Sequence, residues 1–109
     1  MFFVGNIDEF VVQTIREAVV TVPGVVGLAN FSSKDKNDLS TNDIHKAIEF
    51  VIDKNIQHFK IHVILLYGVN ILDILKEIQI RVKYELEKNF KNNIEHKVDV
   101  IVEDLLLKI

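Results

Sequence analysis

The chain has 109 residues, 49% hydrophobic and 27% charged, which is the size and balance of one globular domain and not of a disordered tail. Its net charge of -3 leaves no basic field over the surface as a whole, which argues against a nucleic-acid partner. It has no cysteine, which excludes disulfides, thiol nucleophiles and cysteine zinc sites together.

The opening Met1-Phe2-Phe3-Val4-Gly5-Asn6 is apolar, but it is too short for a signal h-region and lacks a leading positive charge. Asn6 with Glu9 three residues on has capping-box spacing and predicts a helix start. Ile7, Val11, Ile15, Ala18 and Val22 then recur at helical spacing, widened by Phe10 and Val19, with Asp8, Glu9, Gln13, Arg16 and Glu17 on the other side. Pro23-Gly24 stops this helix, because proline has no N–H for the ladder and disfavours helix at Val22.

Residues 25–31 read as a short strand in which Gly27 and Ala29 suit close packing under a helix. Residues 32–45 are almost wholly polar apart from Leu39 and Ile44, and predict a loop with room for one helical turn starting at Ser40 or Thr41. Ile48, Phe50 and Ile52 alternate with Glu49, Val51 and Asp53 before the turn residues Asp53-Lys54-Asn55. Phe59, Ile61, Val63, Leu65 and Tyr67 alternate with His58, Lys60 and His62 until Ile64 and Leu66 break the pattern. These two runs predict a β-hairpin whose second strand is covered on both faces at its end.

Gly68 ends that strand, and Asn70 caps a second helix with Asp73 near its positive end. Ile71, Leu75, Ile78, Val82, Leu86 and Phe90 form its apolar stripe, and Asn92-Asn93 ends it. A last strand is expected from Lys97 to Glu103 or beyond, with Val98, Val100 and Val102 inward and Lys97, Asp99 and Glu103 outward. The densest apolar run, Val63-Ile64-Leu65-Leu66-Tyr67, is far below the ~20 residues of a spanning helix, so membrane association would have to pass through a partner.

The expected fold is α+β: a two-layer sandwich in the order α-β-β-β-α-β, with two helices packed on one face of a mixed, largely antiparallel sheet. No linker, repeat or low-complexity segment divides residues 1–109, so a single domain is expected.

Several of these segments are familiar as a series. Thr21-Val22-Pro23-Gly24-Val25-Val26-Gly27-Leu28-Ala29 follows the first helix, and Val63-Ile64-Leu65-Leu66-Tyr67-Gly68 leads into a helix bearing Ile78-Gln79-Ile80-Arg81-Val82-Lys83. Val98-Asp99-Val100-Ile101-Val102-Glu103-Asp104 closes the chain. In this order and spacing the chain resembles the alkaline-shock, Gls-type envelope stress proteins of bacteria from about Ile7 to Asp104. It departs from their pattern at Asn89-Phe90-Lys91-Asn92-Asn93, where the family tends to carry a glycine-containing turn. The resemblance implies a cytoplasmic stress-response protein without known catalysis, often held near the membrane by a partner or by self-assembly.

The candidate chemical sites read as ordinary surface. His58 and His62 share one face of a strand but stand roughly 13 Å apart, too far for one zinc. His45 and His96 have no paired-carboxylate spacing, so the histidines are expected at solvent-facing positions, with no metal and no cofactor. Asp99, Glu103 and Asp104 belong to a polar strand face, and Ser32, Ser33 and Ser40 lie in the loop outside any nucleophile elbow, so no enzyme is expected. Gly24-Val25-Val26-Gly27 formally matches the GxxG of KH-like RNA-binding modules, with Lys54, Lys60 and His62 as a small basic patch. That is the alternative function; the turn nevertheless carries two valines and has no nearby lysine or arginine.

The surplus in this sequence is apolar. Ile64, Leu66, Ile80, Ile101, Leu105, Leu106, Leu107 and Ile109 cannot all face one small core. Either the C-terminal segment folds back over the open sheet face, or these residues form an interface in a homo-oligomer or with a membrane-anchored protein. The interface expectation rests on Ile64, Leu66, Ile80, Ile101, Leu105 and Leu107.

Overall fold

A computed structural model describes residues 2–4, 8–89 and 95–107. The first strand is β1 (Phe2–Val4) and the first helix α1 (Glu9–Val20). The cap of α1 is Asp8, whose carboxylate accepts from the Phe10 N–H at 2.8 Å, so the helix begins two residues after the position expected from Asn6. Asn6 and Ile7 themselves lie outside the described residues. At the other end Thr21 closes the helix, with Oγ1 donating to the Glu17 and Ala18 carbonyls, and Pro23 turns the chain.

Gly24 follows with φ +98, and a Cβ there would stand 2.9 Å from Ile74 Cδ1. Backbone conformation and the closeness of the second helix therefore both require glycine. Strand β2 (Val25–Ala29) is two residues shorter than expected. The polar segment after it is more ordered than its composition suggests: a 3₁₀ turn at Lys36–Asp38, strand β3 (Ser40–Thr41), and a second 3₁₀ turn at Ile44–Lys46. Asp43, not Ser40 or Thr41, caps that second turn through the His45 N–H, and Ile44 is buried beneath it.

Strands β4 (Ile48–Asp53) and β5 (Ile56–Leu66) form the expected hairpin, with Ile48 opposite Ile61 and Asp53 opposite Ile56. Lys54 takes the left-handed conformation in the two-residue turn. Helix α2 (Ile71–Asn89) is capped by Asn70, whose Oδ1 accepts from the Asp73 N–H. Phe90 and the Asn92-Asn93 stop lie outside the described residues. Strand β6 (Glu95–Leu106) returns parallel to β5 along its whole length, a β-α-β crossover.

The sheet is thus mixed and largely antiparallel, and the long elements keep the order α-β-β-β-α-β, with β1 and β3 added as short edges. One margin of β5 pairs with β4 over its first half and with β2 over its second, while the other margin is taken by β6. Both helices cover one face, where Val12, Ile15, Val19, Ile78, Val82 and Leu86 meet Phe50, Phe59, Ile61, Val63 and Leu65. Val98 is buried and Val100 and Val102 pack against this core, as the alternation in β6 requires.

Candidate functional site

The face of the sheet away from the helices has a polar half and an apolar half. Strand register puts His58, Lys60, His62, Ile64 and Leu66 of β5 on it, beside Lys97, Asp99 and Ile101 of β6. A register shift opposite Val63 and Ile64 then places both Glu103 and Asp104 on this side before Leu105 turns to the core. This bulge is why the alternation breaks down at the C-terminal end.

In the polar half, His58 Nε2 lies 2.6 Å from Asp99 Oδ2 and His62 Nε2 lies 2.7 Å from Glu49 Oε2. His62 is not solvent-facing as expected: it is only 6% exposed. The segment after β2 folds over it, with the Phe31 ring at 5.4 Å and the Phe31 N–H bonded to the Lys46 carbonyl. Its Nδ1 is buried without a hydrogen bond, 3.8 Å from Glu103. His96 departs from the expectation too. It is buried on the helix face against Phe59, and desolvation, acting against Glu87 and with Lys83, holds its imidazole below the ordinary histidine range. Only His45 keeps an exposed position, bonded to Glu9; hydrogen bonds from Gln13 and His45 hold that carboxyl below its usual range.

Among the described residues no group of three histidine, cysteine or carboxylate side chains is placed to hold a metal ion. The Gly24-to-Gly27 turn is occupied by the fold: Gly24 packs on Ile74, its carbonyl accepts from the Leu66 N–H, and Val25 opens β2. Lys60 stands between Glu49 and Asp99 in strand register, so it adds little positive potential to the hairpin.

The six residues expected at an interface are divided by the structure. Ile64, Leu66 and Ile101 share the open sheet face; Ile64 is 4% exposed and the other two are half-buried. Leu105 packs on the helix side against the core, and Leu107 is exposed just after β6. Ile80 stands apart from them on α2, 63% exposed. Leu72, about two turns earlier on α2, is 70% exposed and was not singled out from the sequence.

Two side chains fix the orientation of α2. Arg81 reaches back to α1, donating to the Thr21 carbonyl at 3.2 Å and to Glu77 at 2.6 Å. Gln79 points the opposite way and donates to the Val98 carbonyl of β6 at 2.9 Å. Around the helix Leu72 lies close to Gln79 and so on the β6 flank of α2, whereas Ile80 falls midway between Gln79 and Arg81 and points away from the sheet. A shallow groove of about 490 Å³ between α1 and α2, with Phe10, Thr14, Glu17 and Tyr84 along it, lies on the other flank.

The outer margin of β6 is open: among the described residues, β6 pairs with β5 alone. The Glu95 N–H donates to Asn55 and the Leu106 carbonyl accepts from Tyr67, so both ends of β6 direct these groups inward. Alternation then turns the backbone groups of residues 97, 99 and 101 toward β5 and those of Val98, Val100 and Val102 outward. The bond from Gln79 to the Val98 carbonyl confirms that parity.

No helix among the described residues is long and apolar enough to cross a membrane. Residues 5–107 match the profile of the alkaline shock protein 23 family, described as having a cell envelope-related function. No curated protein and no solved structure matches the chain.

Proposed function

The chain belongs to the alkaline shock protein 23 family and has a cell envelope-related role, and from that premise we propose that it acts as a non-catalytic scaffold. In this reading it is a cytoplasmic protein that assembles with itself, and a membrane-anchored partner brings the assembly to the envelope. The observation that carries the reading is the exposure of large aliphatic side chains outside the core, Leu72 and Ile80 on α2 and Leu107 just beyond β6. Water contact at these positions is unfavourable by roughly 25 cal/mol per Å² of apolar surface, and a partner surface removes it.

The test is Ile80→Glu, followed by light scattering over a range of concentrations. Ile80 lies outside the core, so the variant is expected to keep its fold by circular dichroism and to assemble more weakly than the parent chain. An assembly of unchanged size and strength would contradict a role for this surface.

A further inference from the structure

Resting on the self-association just proposed, we infer that the contact is made by β6 itself: two copies pair their outer edges antiparallel about a two-fold axis at Val100, joining two sheets into one. A 12-residue strand open on its outer side is a template for another strand, and the other two edge strands, β1 and β3, have only three and two residues. The occupant and the register both follow from the strand's own residues.

A two-fold pairing that keeps both sets of helices on the same side must set even-numbered residues against even and odd against odd. Centred on Asp99 it opposes Asp99 to its own copy, and centred on Ile101 it opposes Asp99 to Glu103; both place like charges together. Centred on Val98 it sets Lys97 against Asp99, but that carboxylate is already engaged by His58 and much of the strand is left unpaired. Centred on Val100 it sets Lys97 against Glu103 of the second copy, twice by symmetry. Val100 then faces its own copy and Val98 faces Val102. These three valines carry the outward backbone groups, so the ladder closes with the hydrogen bonds that the edge has to offer. The Val98 carbonyl has two lone pairs and keeps Gln79 while accepting from the second copy.

The helices are compatible with the same axis. Gln79 stands over Val98, and α2 runs antiparallel to β6. Moving two strand residues to Val100 covers about 6.6 Å, or roughly four helix residues back, which brings the axis beside Leu75 and Lys76. Leu72 is on the β6 flank of α2, so the axis brings that flank beside the same flank of the second copy. Leu72, the most exposed aliphatic side chain of α2, thereby gains apolar cover that the single chain does not supply.

Sedimentation velocity on the whole chain and three variants tests this. Val100→Pro removes an outward N–H from an edge strand, where proline is tolerated, and is expected to sediment as a monomer with a native circular dichroism spectrum. Lys97→Glu, which keeps its fold because the side chain is exposed, is expected to weaken association about tenfold. The double variant Lys97→Glu with Glu103→Lys is expected to restore it, since the opposed charges are exchanged. A parent chain that associates while all three variants associate equally well would overturn the β6 edge and leave self-association standing. A parent chain that is monomeric at every concentration would overturn both.

Discussion

His96 is buried beside the Phe59 ring, and its burial has a consequence for pH. Desolvation lowers its folded-state pKa below the 6.5 expected in the unfolded chain. Between those two values the unfolded state binds more protons, so stability falls as pH drops below about 6.5, and this group adds no pH dependence above that value. Urea midpoints measured from about pH 7.5 down to about pH 5 should show that fall. A His96→Leu variant should show a shallower one, and equal slopes would mean that His96 is not responsible. Gly24 is the other residue whose chemistry leaves little choice. Alanine there meets both a positive φ and Ile74, so Gly24→Ala should cost about 1–3 kcal/mol in the same assay. A change near zero would mean that the turn relaxes without strain.

At the level of elements, local patterns with several repeats were readable and short or borrowed structure was not. The β4–β5 hairpin was legible because six consecutive residue pairs carry the alternation and Asp53-Lys54-Asn55 marks the turn. Strand β1 was missed because three apolar residues show no period, and its pairing with β4 is a property of the edge it joins. Strand β3 was hidden inside a polar run, where hydrogen bonding to β2 orders a segment that composition alone reads as loop. His62 shows the same limit at a single position. Its face of the strand followed from spacing, but its burial comes from Phe31, which a separate segment brings over it. For the candidate surface, the apolar surplus was legible and its division was not, because the bulge at Glu103 and Asp104 moves Leu105 into the core. A chain ended after Leu106 should therefore keep its stability. One ended after Asp104 should lose about 1–3 kcal/mol, through Leu105 packing and the bond from the Tyr67 N–H to the Leu106 carbonyl. Equal melting temperatures for the two truncations would contradict that assignment.

For the molecule as a whole, one helix layer covers one face of one sheet, and a long strand is left at the margin. The turn at Gly24, the crossover through α2 and the hairpin are all committed to holding β5 at the centre of the sheet, which places β6 at the rim. Strand β6 thus has two roles: its side chains complete the core through Val98, Val100 and Val102, and the backbone groups of the same residues face outward. In the proposed scaffold reading, affinity for its own copies would govern how much of the protein is assembled at a given concentration. The most direct measurement of that claim is the mass of the purified chain in solution by light scattering across a wide concentration range. A dimer or larger species that dissociates on dilution is expected. A monomer of 12.6 kDa at every concentration would contradict it.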